Sequence, residues 1–378
     1  MQKRIGVVSV SIVLVIILLI EIIVMNNNSN NKYLFTQDGI KYALTLDGEK
    51  TISFPSKGMY QVRVSCDNAN GKWLYDEWKL AIENIKGDIS CDISFNTISK
   101  TNLNDYIISL AGTEQGTGQV VNENGYRYEG KNPNNYIWFN NEYWRIIGVF
   151  DSASHGQANK NLVKIIRADV LDGLVWHKSS TNDWTASSLK SLLNGAYYNA
   201  QDGTSSGYCY QDSAKVIANC DYTKRGIQSG YRGMIANVRW YLGGYSSENA
   251  TAAAFYGYER GNRVYSSGRP TSTTGYIGLM YPSDYGYSVL ASSCARTTNL
   301  GSYRSANCAG QSWLYGKGDE WILTPSSSSY NGAFSLAGIL IIGTSTVGHG
   351  FRPVLYLDAS VYKIDGDGSL ENPYIIGM

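Results

Sequence analysis

Hydrophobic and polar positions divide the chain into an apolar N-terminus, a short series of strands and a longer mixed region. Lys3 and Arg4 precede an almost unbroken apolar stretch over residues 5–25, which is long enough to cross a bilayer core as a helix. No small-residue cleavage site follows this stretch, and the two basic residues favour the cytoplasmic side. We therefore predict an uncleaved transmembrane anchor over residues 1–25, with the rest of the chain outside the cell.

An Asn-rich linker over residues 26–35 leads into a predicted small β domain over residues 36–100. Apolar and polar residues alternate around Val62, Leu80 and Ile93, as they do in half-buried strands. The carboxylates of this region are typical of strand ends and solvent-facing positions. We expect a β-sandwich-like domain that carries no chemistry of its own.

Residues 101–378 alternate between strand and helix patterns, so the whole chain is predicted to be α+β. Asn140 and Asn141 stand between two apolar runs, and Asn tolerates the positive φ that a two-residue hairpin turn requires. Asn182-Asp183-Trp184 is typical of a helix start. The patterns further predict helices over residues 103–110, 187–194 and 231–242, a strand over 162–168 and an irregular region over 243–275.

Charge and composition limit the partners that the protein can have. Lys and Arg number 32 against 31 Asp and Glu, and they form no basic stripe, which argues against a nucleic-acid partner. The 40 Gly and 30 Tyr residues are typical of binding loops, in which rigid amphipathic rings stand among small flexible residues. A β-rich extracellular protein with aromatic strands has the same composition, so both interpretations stay open.

The six cysteines fall into three local pairs, which suits an oxidising compartment outside the cell. Six cysteines allow fifteen connectivities. Proximity in the sequence suggests bonds between Cys66 and Cys91, Cys209 and Cys220, and Cys294 and Cys308. We therefore predict three intramolecular disulfides and no free thiol.

No motif in the chain predicts catalysis or a cofactor. The Gly-rich stretch over residues 112–119 lacks the Lys-Ser or Lys-Thr pair of a phosphate loop. Residues 365–371 alternate like calcium ligands but lack the Gly and the closing Glu of an EF-hand, so we expect a tight hairpin there. His155, His177 and His349 are isolated from one another and are expected to be exposed loop residues. We predict no metal, no cofactor and no enzymatic activity.

Two sets of motifs resemble known families. EWILTP (320–325) and GFRPVLYLD (350–358) resemble the closing strands of the C-type lectin-like fold, which formylglycine-generating enzymes and the target proteins of diversity-generating retroelements share. NNYIWFNNEYWRIIGVF (134–150) and GLMYPSDYGYS (278–288) resemble surface proteins of gut Firmicutes that have no assigned function. The resemblance implies a C-type lectin-like domain over residues 101–378. The calcium-binding motifs of the lectins and the cysteine motif of the enzymes are missing from this chain.

The segment over residues 326–350 contains no Asp, Glu, Lys or Arg, and we expect a displayed surface there. Phe334 and Leu336 are predicted to face inward, alternating with Ser335 and Ala337 outward. The resemblance implies that residues varied to bind ligands lie on this part of the fold. The predicted ligand-binding residues are Tyr330, Asn331, Ser335, Ala337, Thr344, Thr346 and His349.

These patterns support two functional hypotheses from different classes. The first is a membrane-anchored extracellular protein that binds a protein or glycan ligand through the segment over residues 326–350. The second is a structural or pilus-associated surface protein whose Tyr-rich face packs against copies of itself.

Overall fold

A computed structural model describes residues 9–11, 20–23, 40–45, 50–52, 54–55, 60–75, 77–87, 89–97, 100–315, 318–337 and 340–378. The chain divides into two compact units, Met1–Lys100 and Thr101–Ile376. Strand residues outnumber helix residues, at 37% against 15%, which agrees with the predicted α+β class.

The first unit consists of short strands around a small aromatic core. Its strands are β1 (Ser9–Ser11), β2 (Ile20–Ile23), β3 (Ile40–Thr45), β4 (Lys50–Ile52), β5 (Tyr60–Asp67), β6 (Asn70–Leu74), β7 (Lys79–Glu83) and β8 (Ser90–Thr97). They pair in the orders β3-β8-β5, β6-β7 and β1-β2-β4. Val62, Leu80 and Ile93 are buried there, as their alternation with polar residues predicts.

The second unit contains the remaining strands and all six α-helices of the described chain. The strands are β9 (Thr101–Asn102), β10 (Thr117–Asn122), β11 (Tyr126–Asn132), β12 (Tyr136–Phe139), β13 (Glu142–Phe150), β14 (Leu162–Arg167), β15 (Leu171–Val175), β16 (Val238–Tyr241), β17 (Ser272–Gly275), β18 (Ile277–Gly278), β19 (Glu320–Pro325), β20 (Gly332–Leu336), β21 (Leu340–Thr344), β22 (Gly348–Phe351), β23 (Val354–Tyr356), β24 (Tyr362–Asp365) and β25 (Ile375–Gly377). The helices are α1 (Leu103–Ser109), α2 (Ser152–His155), α3 (Ser188–Leu192), α4 (Ser229–Arg232), α5 (Ala252–Glu259) and α6 (Pro282–Gly286).

Two sheets organise this second unit. Seven strands form one sheet in the order β10-β11-β13-β14-β23-β18, with β12 paired to β13. Five strands form the other in the order β15-β22-β19-β20-β21. Asn140 and Asn141 turn the β12–β13 hairpin with φ values of 59° and 60°, which confirms the predicted hairpin.

Arg352 and Glu320 form a buried ion pair where the chain passes from β22 in one sheet to β23 in the other. The Arg352 Nε and Nη2 atoms donate to the two Glu320 carboxylate oxygens at 2.7 and 2.6 Å. Each side chain is 1% exposed. Nη2 also donates to the Leu314 carbonyl oxygen at 3.1 Å. Because the pair is bidentate and enclosed, it fixes the point at which the sheets meet.

Residues 231–242 do not form the predicted helix. Helix α4 ends at Arg232, and Val238–Tyr241 is strand β16, paired with β17. Its β-branched and aromatic residues suit a pleated surface, and Val238 and Trp240 are buried there. The neighbouring region, predicted to be irregular, contains α5, whose first turn is capped by the Thr251 hydroxyl.

The three histidines are not exposed loop residues, so that expectation is wrong. His155 is fully buried, and its Nε2 lies 3.1 Å from the Phe150 carbonyl oxygen. His177 is also buried, and His349 packs within the five-stranded sheet. A single sequence shows that the three histidines are distant from one another along the chain, but it does not show which strands enclose them.

The cysteines form the three bonds that their proximity suggests: Cys66–Cys91, Cys209–Cys220 and Cys294–Cys308. The described residues include no free cysteine. Disulfides persist in oxidising compartments, so they indicate an extracellular or secreted protein.

The predicted membrane anchor and linker lie mostly outside the described residues. Within residues 1–35 the structure describes only β1 and β2, which pair with each other. No helix in the described part of the chain is both long and apolar enough to cross a bilayer.

We expect Arg352→Met to lower the free energy of unfolding by about 3–5 kcal/mol, because it leaves the Glu320 carboxylate buried without a partner. Arg352→Met combined with Glu320→Leu should recover most of this loss, since no charge then remains. Denaturant unfolding followed by tryptophan fluorescence measures both variants. Wild-type stability in the single variant would show that the ion pair does not hold the sheets.

Candidate functional site

Four of the seven predicted ligand-binding residues lie in or directly beside two adjacent turns at one end of the five-stranded sheet. Tyr330 and Asn331 end the turn between β19 and β20, whereas Thr344 is the last residue of β21 and Thr346 lies in the turn that follows it. The Ser345 amide donates to the Asn331 carbonyl oxygen at 2.8 Å, which ties the turns together. Tyr330 and Thr344 are exposed, and Asn331 and Thr346 are half-buried.

Ser335 and His349 belong to the scaffold of this site. Ser335 is fully buried because β20 lies between β19 and β21 and is covered on both faces, so its predicted outward orientation is wrong. The His349 ring packs 4.3 Å from the Trp321 ring, and its Nδ1 lies 2.7 Å from an Asp319 carboxylate oxygen. Ala337 follows β20 directly and is half-buried.

Asn182 holds the turn between β19 and β20 in place. It is fully buried, and its backbone amide donates to the Tyr330 carbonyl oxygen at 2.9 Å. Its side-chain nitrogen lies 2.7–2.9 Å from three carbonyl oxygens of the turn, those of Ser326, Ser329 and Gly332. The two N–H groups of this amide serve the three oxygens together with the Ser326 backbone amide, which also donates to the Gly332 oxygen at 2.8 Å. These carbonyl groups therefore do not depend on water for hydrogen bonds.

Arg269 extends this network to a further segment of chain. Its guanidinium donates to the Asn182 side-chain oxygen and, at 3.4 Å, to the Tyr330 carbonyl oxygen. The Tyr265 ring lies 5.2 Å from the Arg269 guanidinium and 6.1 Å from the Tyr330 ring. Arg269 therefore places two tyrosines side by side.

A hairpin closed by the Cys209–Cys220 disulfide packs against β15 and β22. Its Tyr210 carbonyl oxygen accepts from the amide of Val175, at the end of β15, at 2.9 Å. A Cβ atom at Gly348 would lie only 2.2 Å from the Gln211 carbonyl oxygen, so this close approach requires glycine. Lys178 donates to the Gly207 carbonyl oxygen at 3.1 Å, and its ammonium lies 4.9 Å from the Tyr208 ring centre.

We call these connected segments the loop surface: residues 178–182, 208–217, 265–269, 326–331 and 344–347. Ten large apolar side chains stand exposed among the described residues of the chain, and six of them belong to this surface. The six are Tyr208, Val216, Ile217, Tyr265, Tyr330 and Val347. Soluble proteins rarely gather exposed apolar groups, and such a concentration is typical of interaction surfaces.

The loop surface lacks the features of a small-molecule or metal site. The cleft between Asn182, Trp184, Tyr265 and Pro325 has a volume of about 10 Å³, which accommodates roughly one water molecule. Across the described residues, no three His, Cys, Asp or Glu side chains are grouped to hold a metal ion. The charges of the loop surface are three cations, Lys178, Lys215 and Arg269, against one acid, Asp212.

Several residues of the loop surface were not predicted from the sequence. Tyr265 lies in a stretch predicted to be irregular, and nothing in its neighbours indicates that Arg269 brings it to Tyr330. One feature of the sequence indicated the hairpin that carries Tyr208, Val216 and Ile217: the proximity of Cys209 and Cys220. This proximity predicts a closed loop, but it does not predict the turns against which the hairpin packs.

Comparison of the chain with known protein families, with curated proteins and with solved structures finds no match.

We expect Asn182→Ala to lower the free energy of unfolding by about 2–3 kcal/mol, because it removes the side-chain donor to the carbonyl oxygens of Ser326 and Ser329. Asn331→Ala is the matched control, since its half-buried amide donates to the Ser180 hydroxyl and accepts from the Ser329 hydroxyl, and neither contact leaves a buried carbonyl group without a donor. The control should lose less than about 1 kcal/mol. Denaturant unfolding measures both, and equal stability of the two variants would contradict the assigned role of Asn182.

Proposed function

We propose that the protein is a membrane-anchored extracellular binding protein that holds its ligand on the loop surface of a C-type lectin-like scaffold. The observation that supports this most strongly is the gathering of six of the ten exposed large apolar side chains on that surface. Tyr265 and Tyr330 are 44% and 45% exposed. Arg269 and Asn182 hold the Tyr330 backbone, and the Tyr265 ring lies against the Arg269 guanidinium. Rigid exposed tyrosines provide contact area at a low cost in conformational entropy.

A macromolecular ligand suits this surface better than a small molecule. The adjacent cleft holds about one water, so it cannot enclose a sugar or a metabolite. Val216, Ile217 and Val347 add aliphatic contacts, which favour a protein partner, whereas the tyrosine rings could also stack on a glycan. We therefore propose an extracellular protein as the principal ligand class.

The anchored location rests on the N-terminal sequence and on the disulfides. Residues 5–25 are apolar over a length that spans a bilayer, and two basic residues precede them. The three disulfides suit the outer side of the membrane. This arrangement would expose the loop surface to soluble and cell-bound partners.

We expect Tyr265→Ala with Tyr330→Ala to weaken ligand binding about 30-fold or more, because truncation of interface tyrosines commonly costs about 2 kcal/mol or more. Binding of the full chain to a panel of immobilised extracellular proteins and glycans measures the loss. Thermal unfolding should change little, since exposed positions usually alter stability by about 0.5 kcal/mol.

Tyr143→Ala is the matched control, because Tyr143 is an exposed tyrosine of the β12–β13 hairpin, outside the loop surface. It should bind as the wild type does. Equal binding by the double variant and the control would contradict the proposal. Loss of self-association in the double variant, with no ligand bound by the wild type, would instead favour a structural protein that packs against its own copies.

A further inference from the structure

Lys164 and Asp284 meet in the core of the second unit, and neither belongs to the loop surface. Lys164 lies in β14 of the seven-stranded sheet, and Asp284 lies in α6. The Lys164 Nζ atom is 2.5 Å from the Asp284 Oδ2 atom. Each side chain is 1% exposed, so an amine and a carboxyl group are held together without water.

Four aromatic rings surround the Lys164 amine. The ring centres lie 4.5–5.8 Å from Nζ and belong to Tyr281, Phe150, Tyr356 and Trp240. Within the described residues, Asp284 supplies the only hydrogen-bond acceptor for this amine. An ammonium group has three N–H donors, so two of them face rings here. An amide nitrogen would carry a single hydrogen, which this apolar setting accommodates better.

The Asp284 carboxyl group is held by two further donors. Arg127 Nη1 donates to Oδ1 at 2.9 Å, and the Tyr281 amide donates to Oδ2 at 2.9 Å. Arg127 is itself buried. Its guanidinium lies where it can stabilise negative charge on Oδ1 if the carboxyl carbon is attacked.

Glu259 provides a second buried carboxyl group close to this pair. Its two oxygens accept from the Ser283 amide at 2.8 Å and the Ser283 hydroxyl at 2.6 Å, directly before Asp284 in the chain, and Arg260 Nη1 donates to Oε2 at 3.2 Å. Burial raises the pKa of Glu259 to about 7, so the group can gain or lose a proton near neutral pH. Burial also lowers the pKa of Lys164, which weakens its hold on a proton.

The ionisation of Asp284 opposes attack of the Lys164 amine on its carboxyl carbon. Burial alone raises the pKa of Asp284, but Lys164 and Arg127 outweigh it and hold the pKa below its usual value. The group is therefore ionised beside the ammonium of Lys164. One proton has to move from nitrogen to the carboxyl group before attack, and the direct hydrogen bond from Nζ to Oδ2 provides the path for it.

We propose that Lys164 and Asp284 are joined by an intramolecular isopeptide bond that forms after folding. The Lys164 nitrogen attacks the Asp284 carboxyl carbon, a C–N bond forms, and the C–Oδ2 bond breaks. The ammonium and carboxylate together yield one amide and one water, so no charge, oxidant or reductant is left over. Glu259 takes a proton from the nitrogen and delivers it to the departing oxygen, which returns Glu259 to its starting state.

The bond would fasten the seven-stranded sheet to α6 and, unlike a disulfide, would survive reduction. Peptide mapping of the purified full chain, after reduction and denaturation, tests it. The expected product is one branched peptide that joins Lys164 to Asp284 and is lighter than its two parts by one water. Recovery of Lys164 and Asp284 only in separate linear peptides would overturn the proposal.

Two variants assign the roles. Lys164→Arg should yield only linear peptides, which shows that the branch arises at this residue. Glu259→Gln should remain folded by circular dichroism while losing the branched peptide, since the amide cannot carry the proton. A branched peptide at wild-type level in Glu259→Gln would overturn the assignment of Glu259 as the proton carrier.

Discussion

The bidentate pair of Arg352 with Glu320 is the contact on which the arrangement of the second unit depends. It lies where the chain leaves the five-stranded sheet for the seven-stranded sheet, and both side chains are almost completely buried. An enclosed ion pair contributes little net stability compared with apolar residues, but its loss on one side is costly. The Arg352–Glu320 pair therefore determines where the two sheets meet, and it adds little to their net stability.

The turns between β19 and β20 and between β21 and β22 lie at one end of the five-stranded sheet, next to each other. Asn182 then fixes the turn between β19 and β20 through its contacts with three carbonyl oxygens. The Cys209–Cys220 hairpin lies against β15 and β22 on the other side. Exposed tyrosines and aliphatic side chains can remain in water there because polar contacts, rather than their own burial, hold the backbone.

Local patterns in the sequence predicted much of the fold. The Asn140–Asn141 hairpin and the buried strand around Ile93 follow from residues that are adjacent along the chain. The apolar spacing of Val238–Tyr241 predicts a helix, but over so short a stretch it also fits the alternation of a strand. Pairing with β17 makes this segment a strand. Ser335 was predicted to face outward because alternation does not reveal that a strand is covered on both faces.

The candidate site was less predictable than the fold. The segment without charged residues located Tyr330, but Tyr265 joins the same surface through its contacts with Arg269 and Tyr330, and Tyr330 is distant from it along the chain. His349 has the chemistry of a ligand contact, yet Trp321 and Asp319 enclose it. Long-range packing decides which polar residues are exposed to a ligand and which are enclosed in the scaffold. A single sequence does not show this packing.

Site-specific photo-crosslinking tests the central claim, that the loop surface is where the protein meets its ligand. A photoreactive phenylalanine replaces Tyr330 in one full-length variant and Tyr143 in another, and each is displayed on the cell surface with extracellular proteins present. The account predicts a discrete crosslinked partner from position 330 and none from position 143. Equal crosslinking from both positions, or crosslinking from position 143 alone, would contradict it.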